Sequence, residues 1–368
     1  MVETTIMRDE IGQIPRIVRE QRALAEPALA AVAAAVRRVR PRWVSIVARG
    51  TSDHAAVYAR YLIETELGWP VALASPSVTT IYHAPTDWTG GLLLAVSQSG
   101  RSPDLVAVVE AARSGGALTV AVTNTAGSPL EAAAAHVVPC LAGEERAVAA
   151  TKSYVAELAA LAGIVAALAP DSELAAATPR VPAILERTLA AAAGWLAKPA
   201  GSASAGAGPG WGLVEAIAVA GRALVVSRGF NLATALETAL KLKETGQIFA
   251  EGYSSADLEH GPIVLAAADI PALFFRPAGP MGAAIDSAIA RAREFGARAW
   301  IVGSSDAQRL DLAADPDGLV LPDLAGLPES LSPLALILPG QLLAEAVAIH
   351  LGRSPDAPPG LSKVTLTR

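Results

Sequence analysis

One feature limits the fold more than any other: the chain repeats itself. WVSIVARGTSDHAAVYARYLIE, from Trp43, is echoed by ALVVSRGFNLATALETALKLKE, from Ala223. Each is a short β-branched run, then Arg-Gly, a small turn and an apolar-periodic helix. Gly50 and Gly229 stand 179 residues apart, and so do Gly100 and Gly279. The closing strands, Thr119–Thr123 and Ala299–Val302, match after a one-residue slip. A sequence built twice from short apolar strands and helical stretches of roughly 12–18 residues predicts two α/β units with parallel sheets.

The length of 368 residues suits two domains. We expect residues 1–197 to form the first and 211–368 the second. Lys198–Gly210 (KPAGSASAGAGPG) reads as a linker or exposed loop, because Gly, Pro and small residues build no core. Met7–Val36 is helical in pattern. Leu331–Arg368 begins as a helix and ends in an extended tail.

Composition excludes several functions. A net charge of −6 argues against a nucleic-acid binder, which needs a basic face. The one cysteine, Cys140, can form neither an internal disulfide nor a cysteine metal cluster. The charged start MVETTIMRDEIGQIP is no signal peptide. No apolar stretch of 18 or more residues reads as a membrane span. A cytoplasmic protein is expected, with no metal and no cofactor.

Chemistry concentrates in three stretches. In the first, a strand (Leu92–Val96) runs into Ser97-Gln98-Ser99-Gly100, and a helix follows at Ser102-Pro103-Asp104. Ser102 suits an N-cap and Pro103 the first helical turn. Hydroxyls and free N–H groups at a helix start, on the carboxyl edge of a parallel sheet, can seat a phosphate; an ordinary strand-to-helix loop has the same composition. The duplicate loop, Arg276-Pro277-Ala278-Gly279, lacks both serines, so one half reads as binding and the other as scaffold. In the second stretch, Gly50-Thr51-Ser52-Asp53-His54 also joins a strand to a helix. It either faces the Ser97 loop across a crevice or only caps its helix.

The third stretch is LKLKETGQIFAEGYSSADLEHGP. Lys241 and Glu244 share one side of a helix. Glu244 is either a solvated residue or a pocket carboxylate that shuttles a proton. His260, before Gly261-Pro262, is a surface or a catalytic histidine on equal grounds. Lys363 lies in a charged tail, but Pro358-Pro359-Gly360 before it and VTLT after it fit a tail that is pinned down.

Together these motifs resemble the sugar isomerase (SIS) family. Within it they are similar to the isomerase half of glucosamine-6-phosphate synthase and to the glutaminase-free type II glucosamine-6-phosphate deaminases. The resemblance covers nearly the whole chain. It rests on Gly50-Thr51-Ser52, Ser97–Gly100, Ala149-Ala150-Thr151-Lys152, Lys241–Glu244, Glu259-His260-Gly261-Pro262 and Ser362-Lys363. It implies an α/β fold of two tandem SIS domains, each a parallel five-stranded sheet flanked by helices in a flavodoxin-like three-layer arrangement. It also implies residue roles. Ser97, Gln98, Ser99 and Ser102 would hold a 6-phosphate, with Thr51, Ser52, Val148, Ala149 and Ser362 also on the substrate. Glu244 would move a proton between C1 and C2. His260, given by the neighbouring subunit of a homodimer, would assist ring opening. Lys241 and Lys363 would contact open-chain oxygens.

Three positions depart from the family's pattern: Arg101 replaces an acid, Ala150 a serine and Arg49 a cysteine. Cys140, mid-chain after an expected strand, is no glutaminase nucleophile. The reading that follows is conversion of glucosamine 6-phosphate to fructose 6-phosphate and ammonia. Three alternatives stay open: a dehydratase acting on N-acetylglucosamine 6-phosphate with the same base, a fructosamine-phosphate deglycase, and a sugar-phosphate sensor without turnover.

Overall fold

A computed structural model describes residues 4–198, 207–267, 269–305 and 311–363. Most of the expected linker, residues 199–206, and the VTLT run of the tail lie outside the described residues.

Among the described residues, ten strands form two sheets. The first contains β1 (Trp43–Val47), β2 (Val71–Leu73), β3 (Gly91–Ser97), β4 (Leu118–Thr123) and β5 (His136–Pro139), in the order β2-β1-β3-β4-β5. The second contains β6 (Arg222–Ser227), β7 (Phe249–Ser254), β8 (Ala272–Arg276), β9 (Ala299–Gly303) and β10 (Gly318–Val320), in the order β10-β9-β8-β6-β7. All pairings are parallel. Counted within its own sheet, each follows the same order, 2-1-3-4-5, which is the flavodoxin-like winding. The duplication is therefore topological as well as sequential. Even the slip recurs in the register: Ser97 pairs with Thr123, and Arg276 pairs with Gly303.

Burial explains why the strands read as they do. Every residue of β3, β4, β8 and β9 is buried, while the edge strands β2 and β10 are only partly so. Central parallel strands covered by helices on both faces must be apolar throughout.

By compactness, Arg16–Glu145, Lys152–Pro179 and the segment starting at Ser362 form one unit. Met1–Pro15, Arg146–Thr151 and Arg180–Leu361 form the other. Chain order and compactness thus divide the protein differently. The helix Val181–Trp195, which precedes the linker, packs on the helix Ser332–His350 of the second unit.

Two helical segments take a more specific form than the sequence pattern shows. Met7–Val36 is two helices, Ile6–Leu24 and Glu26–Val39, because Pro27 removes a backbone donor and starts a new helix. The segment Glu329–His350 is long and apolar enough to cross a membrane, but 94% of it is buried within the protein. It packs on the helices Leu232–Gly246, Trp211–Ala220 and Val181–Trp195 as a core element.

Candidate functional site

In the first unit, strand order reverses between β1 and β3. Loops leaving the carboxyl ends of these two strands stand at this switch point, the usual ligand position in such sheets. Gly50 and the helix Thr51–Glu66 follow β1; Gln98–Ser102 and the helix Pro103–Ser114 follow β3. The two turns do face each other. Arg49 Nε donates to the buried Asp104 Oδ2 at 2.9 Å, joining one turn to the first turn of the other helix.

The serine turn has a defined shape. Ser97 is buried at the strand end, and its Oγ accepts from Gly100 N–H at 3.2 Å. Ser99 Oγ accepts from Arg101 N–H at 3.3 Å. Ser102 takes the N-cap position with extended backbone, and Pro103 follows it, as expected. Its hydroxyl makes no capping bond, which leaves that oxygen for another use. Gln98, Ser99 and Ser102 are part-exposed. The first N–H groups of a helix have no intrahelical acceptor, so the turn and the helix start both present donors.

Gly100 is required on two counts. Its φ is +60°, and a Cβ there would lie 2.3 Å from Ser128 Oγ and 3.0 Å from Thr123 Oγ1. Gly100→Ala is expected to destabilise the first unit by about 1–3 kcal/mol and to weaken inorganic phosphate binding, read by thermal melting and calorimetric titration.

Of the two readings of Ser52, helix capping does not hold: Gly50, with φ +57°, is the N-cap. Ser52 is buried and its Oγ donates to Glu157 Oε1 at 2.8 Å, so this hydroxyl braces the turn against the helix Lys152–Leu168. Thr51 opens the helix and is part-exposed. Arg101 is exposed. Cys140 is fully buried, and burial followed by Glu157 and Glu145 pushes its thiol well up, so it is no nucleophile.

The tail reaches the same unit. Ser362 is exposed, whereas Lys363 turns inward and its Nζ donates to Glu145 Oε2 at 3.1 Å. The expectation of a pinned tail holds at this residue.

In the second unit, Lys241 and Glu244 lie on the helix Leu232–Gly246. Lys241 is fully buried between two carboxylates. Glu237 Oε1 lies 3.3 Å from its Nζ, and Glu244 Oε2 accepts its hydrogen bond. Burial alone would lower the lysine pKa; Glu237 and Glu244 outweigh it and raise it above the ordinary range. The ammonium is therefore a fixed charge. Glu237 and Lys241 side chains are 0% exposed, whereas that of Glu244 is 24% exposed. Glu244 is the member of this triad that reaches solvent. Glu237 was not foreseen. The signal was present, since 237, 241 and 244 share one helix face and carry charge within an apolar segment.

His260 is exposed, next to Gly261 with φ +135°. Val148 and Ala149 belong by compactness to the second unit, where Val148 N–H donates to the Asp356 carbonyl at 2.9 Å. The first unit therefore gathers Thr51, Ser52, Ser97–Ser99, Ser102, Ser362 and Lys363. The second gathers Val148, Ala149, Lys241, Glu244 and His260. Among the described residues, no group of three His, Cys, Asp or Glu could hold a metal ion.

The duplicate of the serine turn is closed by its own side chains. Arg276 takes the place of Ser97 and is buried, with Nε and Nη2 on Asp286 at 2.5 and 2.8 Å and Nη1 on the Ser304 carbonyl at 2.7 Å. Glu329 Oε2 accepts from Met281 N–H at 3.4 Å and lies 2.8 Å from where a Cβ of Gly279 would be. The helix start that could meet an anion already meets a carboxylate. Burial lifts the Glu329 carboxyl above its ordinary range, against the Met281 N–H that lowers it. A carboxyl so lifted binds its proton more tightly in the folded chain, so stability falls as pH rises from the ordinary carboxylate range through the lifted value. Glu329→Gln is expected to flatten this slope and melt higher than wild type at neutral pH, measured by thermal melts across pH 4–8.

The family model described as SIS domain matches residues 41–167 and 216–316. The glutamine–fructose-6-phosphate aminotransferase [isomerizing] of Methanothermobacter thermautotrophicus is 36% identical over 324 residues, which is 87% of this chain and 51% of that protein. The chain thus spans about half the length of the curated relatives it matches. A provisionally assigned phosphosugar isomerase of Silicibacter pomeroyi DSS-3 superposes with a TM-score of 0.82 at 35% identity, covering 96% of this chain and 100% of that one. A glucosamine-6-phosphate deaminase of Thermotoga maritima shares the fold at 18% identity, with a TM-score of 0.69 over 96% of this chain and 99% of that one. With two sheets wound alike and both halves matched, the chain belongs to the SIS-domain family of sugar-phosphate isomerases.

Proposed function

We propose that the protein converts glucosamine 6-phosphate and water to fructose 6-phosphate and ammonia. The observation that carries this reading is the Glu237–Lys241–Glu244 triad, in which a buried lysine anchors a carboxylate that still reaches solvent. Aldose–ketose interconversion needs one base that lifts a proton and returns it one carbon away. Glu244 takes the C2 hydrogen of the open-chain aldehyde and returns it at C1. The aldehyde becomes an alcohol and the C2 amine becomes an imine. Water then hydrolyses the imine to the ketone, releasing ammonia.

The serine turn supports the substrate assignment. Ser97, Gln98, Ser99 and Ser102 take the phosphate together with the N–H groups of their helix. Thr51 and Ser362 contact the sugar; Ser52 supports the turn from its bond to Glu157. Val148 and Ala149 supply backbone contacts. Lys363 donates to the carbonyl oxygen, where negative charge grows as C2 loses its proton. Lys241, fully buried, acts on the reaction through Glu244. His260 sits exposed on its turn, and in a homodimer it serves ring opening in the neighbouring copy's site.

Incubating the protein with glucosamine 6-phosphate and measuring ammonia and ketose tests the proposal; equal amounts of both are expected. An unsaturated, ultraviolet-absorbing product from N-acetylglucosamine 6-phosphate instead would move the assignment to a dehydratase. Tight binding of either compound without turnover would make the protein a sensor.

A further inference from the structure

The contact that pins the tail has a specific construction. Glu145 stands on the loop after β5, and its side chain is 0% exposed. Its carboxylate accepts from Ser153 N–H at 3.2 Å and from Ser153 Oγ at 2.5 Å, both at the start of the helix Lys152–Leu168. Lys363 Nζ is the third donor, at 3.1 Å, from a side chain 26% exposed. Two donors on a helix start orient the carboxylate before the lysine arrives. The lysine comes from a segment whose neighbours Leu361 and Ser362 are exposed.

A lysine has a flexible four-carbon stem, and holding it in one place costs rotamer freedom. A buried carboxylate is costly unless paired and hydrogen-bonded. The pairing meets both demands and places a part-exposed ammonium at one point of the first unit. We propose that Glu145 is a positioning residue: it holds the Lys363 ammonium where the substrate's open-chain oxygen is to be met. This rests on the reading above that Lys363 donates to that oxygen.

The test uses the full chain and three variants, Glu145→Gln, Lys363→Ala and the double variant, assayed with glucosamine 6-phosphate. Inorganic phosphate binding and melting temperature report whether each is folded with its serine turn intact. Glutamine keeps the shape and an acceptor for Ser153 but loses the charge that draws the ammonium. A misplaced group costs rate more than ground-state binding, so kcat of Glu145→Gln is expected to fall about 10- to 100-fold, with KM within about threefold. Adding Glu145→Gln to Lys363→Ala is expected to cost nothing further, because both act through one ammonium. A merely structural carboxylate would lower the rate as much without Lys363 as with it, and that additivity would overturn the proposal. Full activity of Glu145→Gln beside an inactive Lys363→Ala would remove the positioning role and leave the part of Lys363 standing. A fully active Lys363→Ala would remove both. Should Glu145→Gln fail to fold, Glu145→Asp, which keeps the charge but shortens the reach, carries the same comparison.

Discussion

Glu244→Gln is expected to lower turnover of glucosamine 6-phosphate by about 10²–10⁴-fold, the range a positioned acid–base group contributes, while inorganic phosphate binds as tightly as to wild type. The two outcomes separate because they rest on different parts of the chain. In the proposed site, phosphate is held by the hydroxyls and N–H groups of Ser97–Ser102 on the carboxyl edge of the first sheet. The proposed proton transfer uses the part-exposed carboxylate on the helix Leu232–Gly246. Glutamine keeps the shape of Glu244 and can still accept from Lys241, so loss of rate reports loss of the base. Steady-state kinetics and calorimetric titration on the same preparation read both. A Glu244→Gln protein with wild-type turnover would remove the base from the mechanism.

The second large effect concerns stability. Glu237→Gln takes away one of the two carboxylates that hold the buried Lys241. Breaking a buried ion pair typically costs about 3–5 kcal/mol, because a charge is left without compensation. Glu244 remains as a partner, so the lower end applies, about 3 kcal/mol. For units of this size that corresponds to a melting shift of roughly 6–12 °C. Turnover falls as well, since Lys241 then leans on Glu244 alone. The informative companion is Glu237→Leu with Lys241→Met. It removes both charges and fills the space with apolar atoms, which buried networks often tolerate. The double variant is expected to recover stability but not activity. Recovery of both would make the triad a packing feature and not part of the chemistry.

The fold was legible because the chain states it twice. Gly50 and Gly229, matched by spacing, both have positive φ at the entry to a helix, and so do Gly100 and Gly279. Only a residue without a Cβ fits such a turn cheaply, so these glycines mark real corners of the backbone. The serine turn was legible for a related reason: strand, hydroxyls, glycine and N-terminal proline follow one another within about ten residues, and each has a local cause.

What escaped was non-local. Glu145 lies in AGEERA, a loop without periodicity, and its partner Lys363 is 218 residues away. Glu157 sits in an alanine-rich helix where nothing in the spacing points to Ser52, 105 residues earlier. Glu329 meets Met281 and the Gly279 turn across 48 residues. Carboxylates placed by tertiary packing leave no trace in sequence spacing, whereas Glu237 did, through its helical phase with Lys241. The helical pattern of Met7–Val36 divides into two helices at Pro27, a visible break within an otherwise continuous apolar pattern.

The mechanism proposed here places one proton transfer at its centre, between two adjacent carbons of a phosphorylated amino sugar. Running the reaction in ordinary water on glucosamine 6-phosphate deuterated at C2 and examining the product by NMR addresses it directly. The expected result is fructose 6-phosphate carrying the substrate's own deuterium at C1, with one ammonia per ketose, and this transfer slowed about 10²–10⁴-fold in Glu244→Gln. Ketose whose C1 carries only solvent protons, or transfer equally fast by Glu244→Gln, would contradict it.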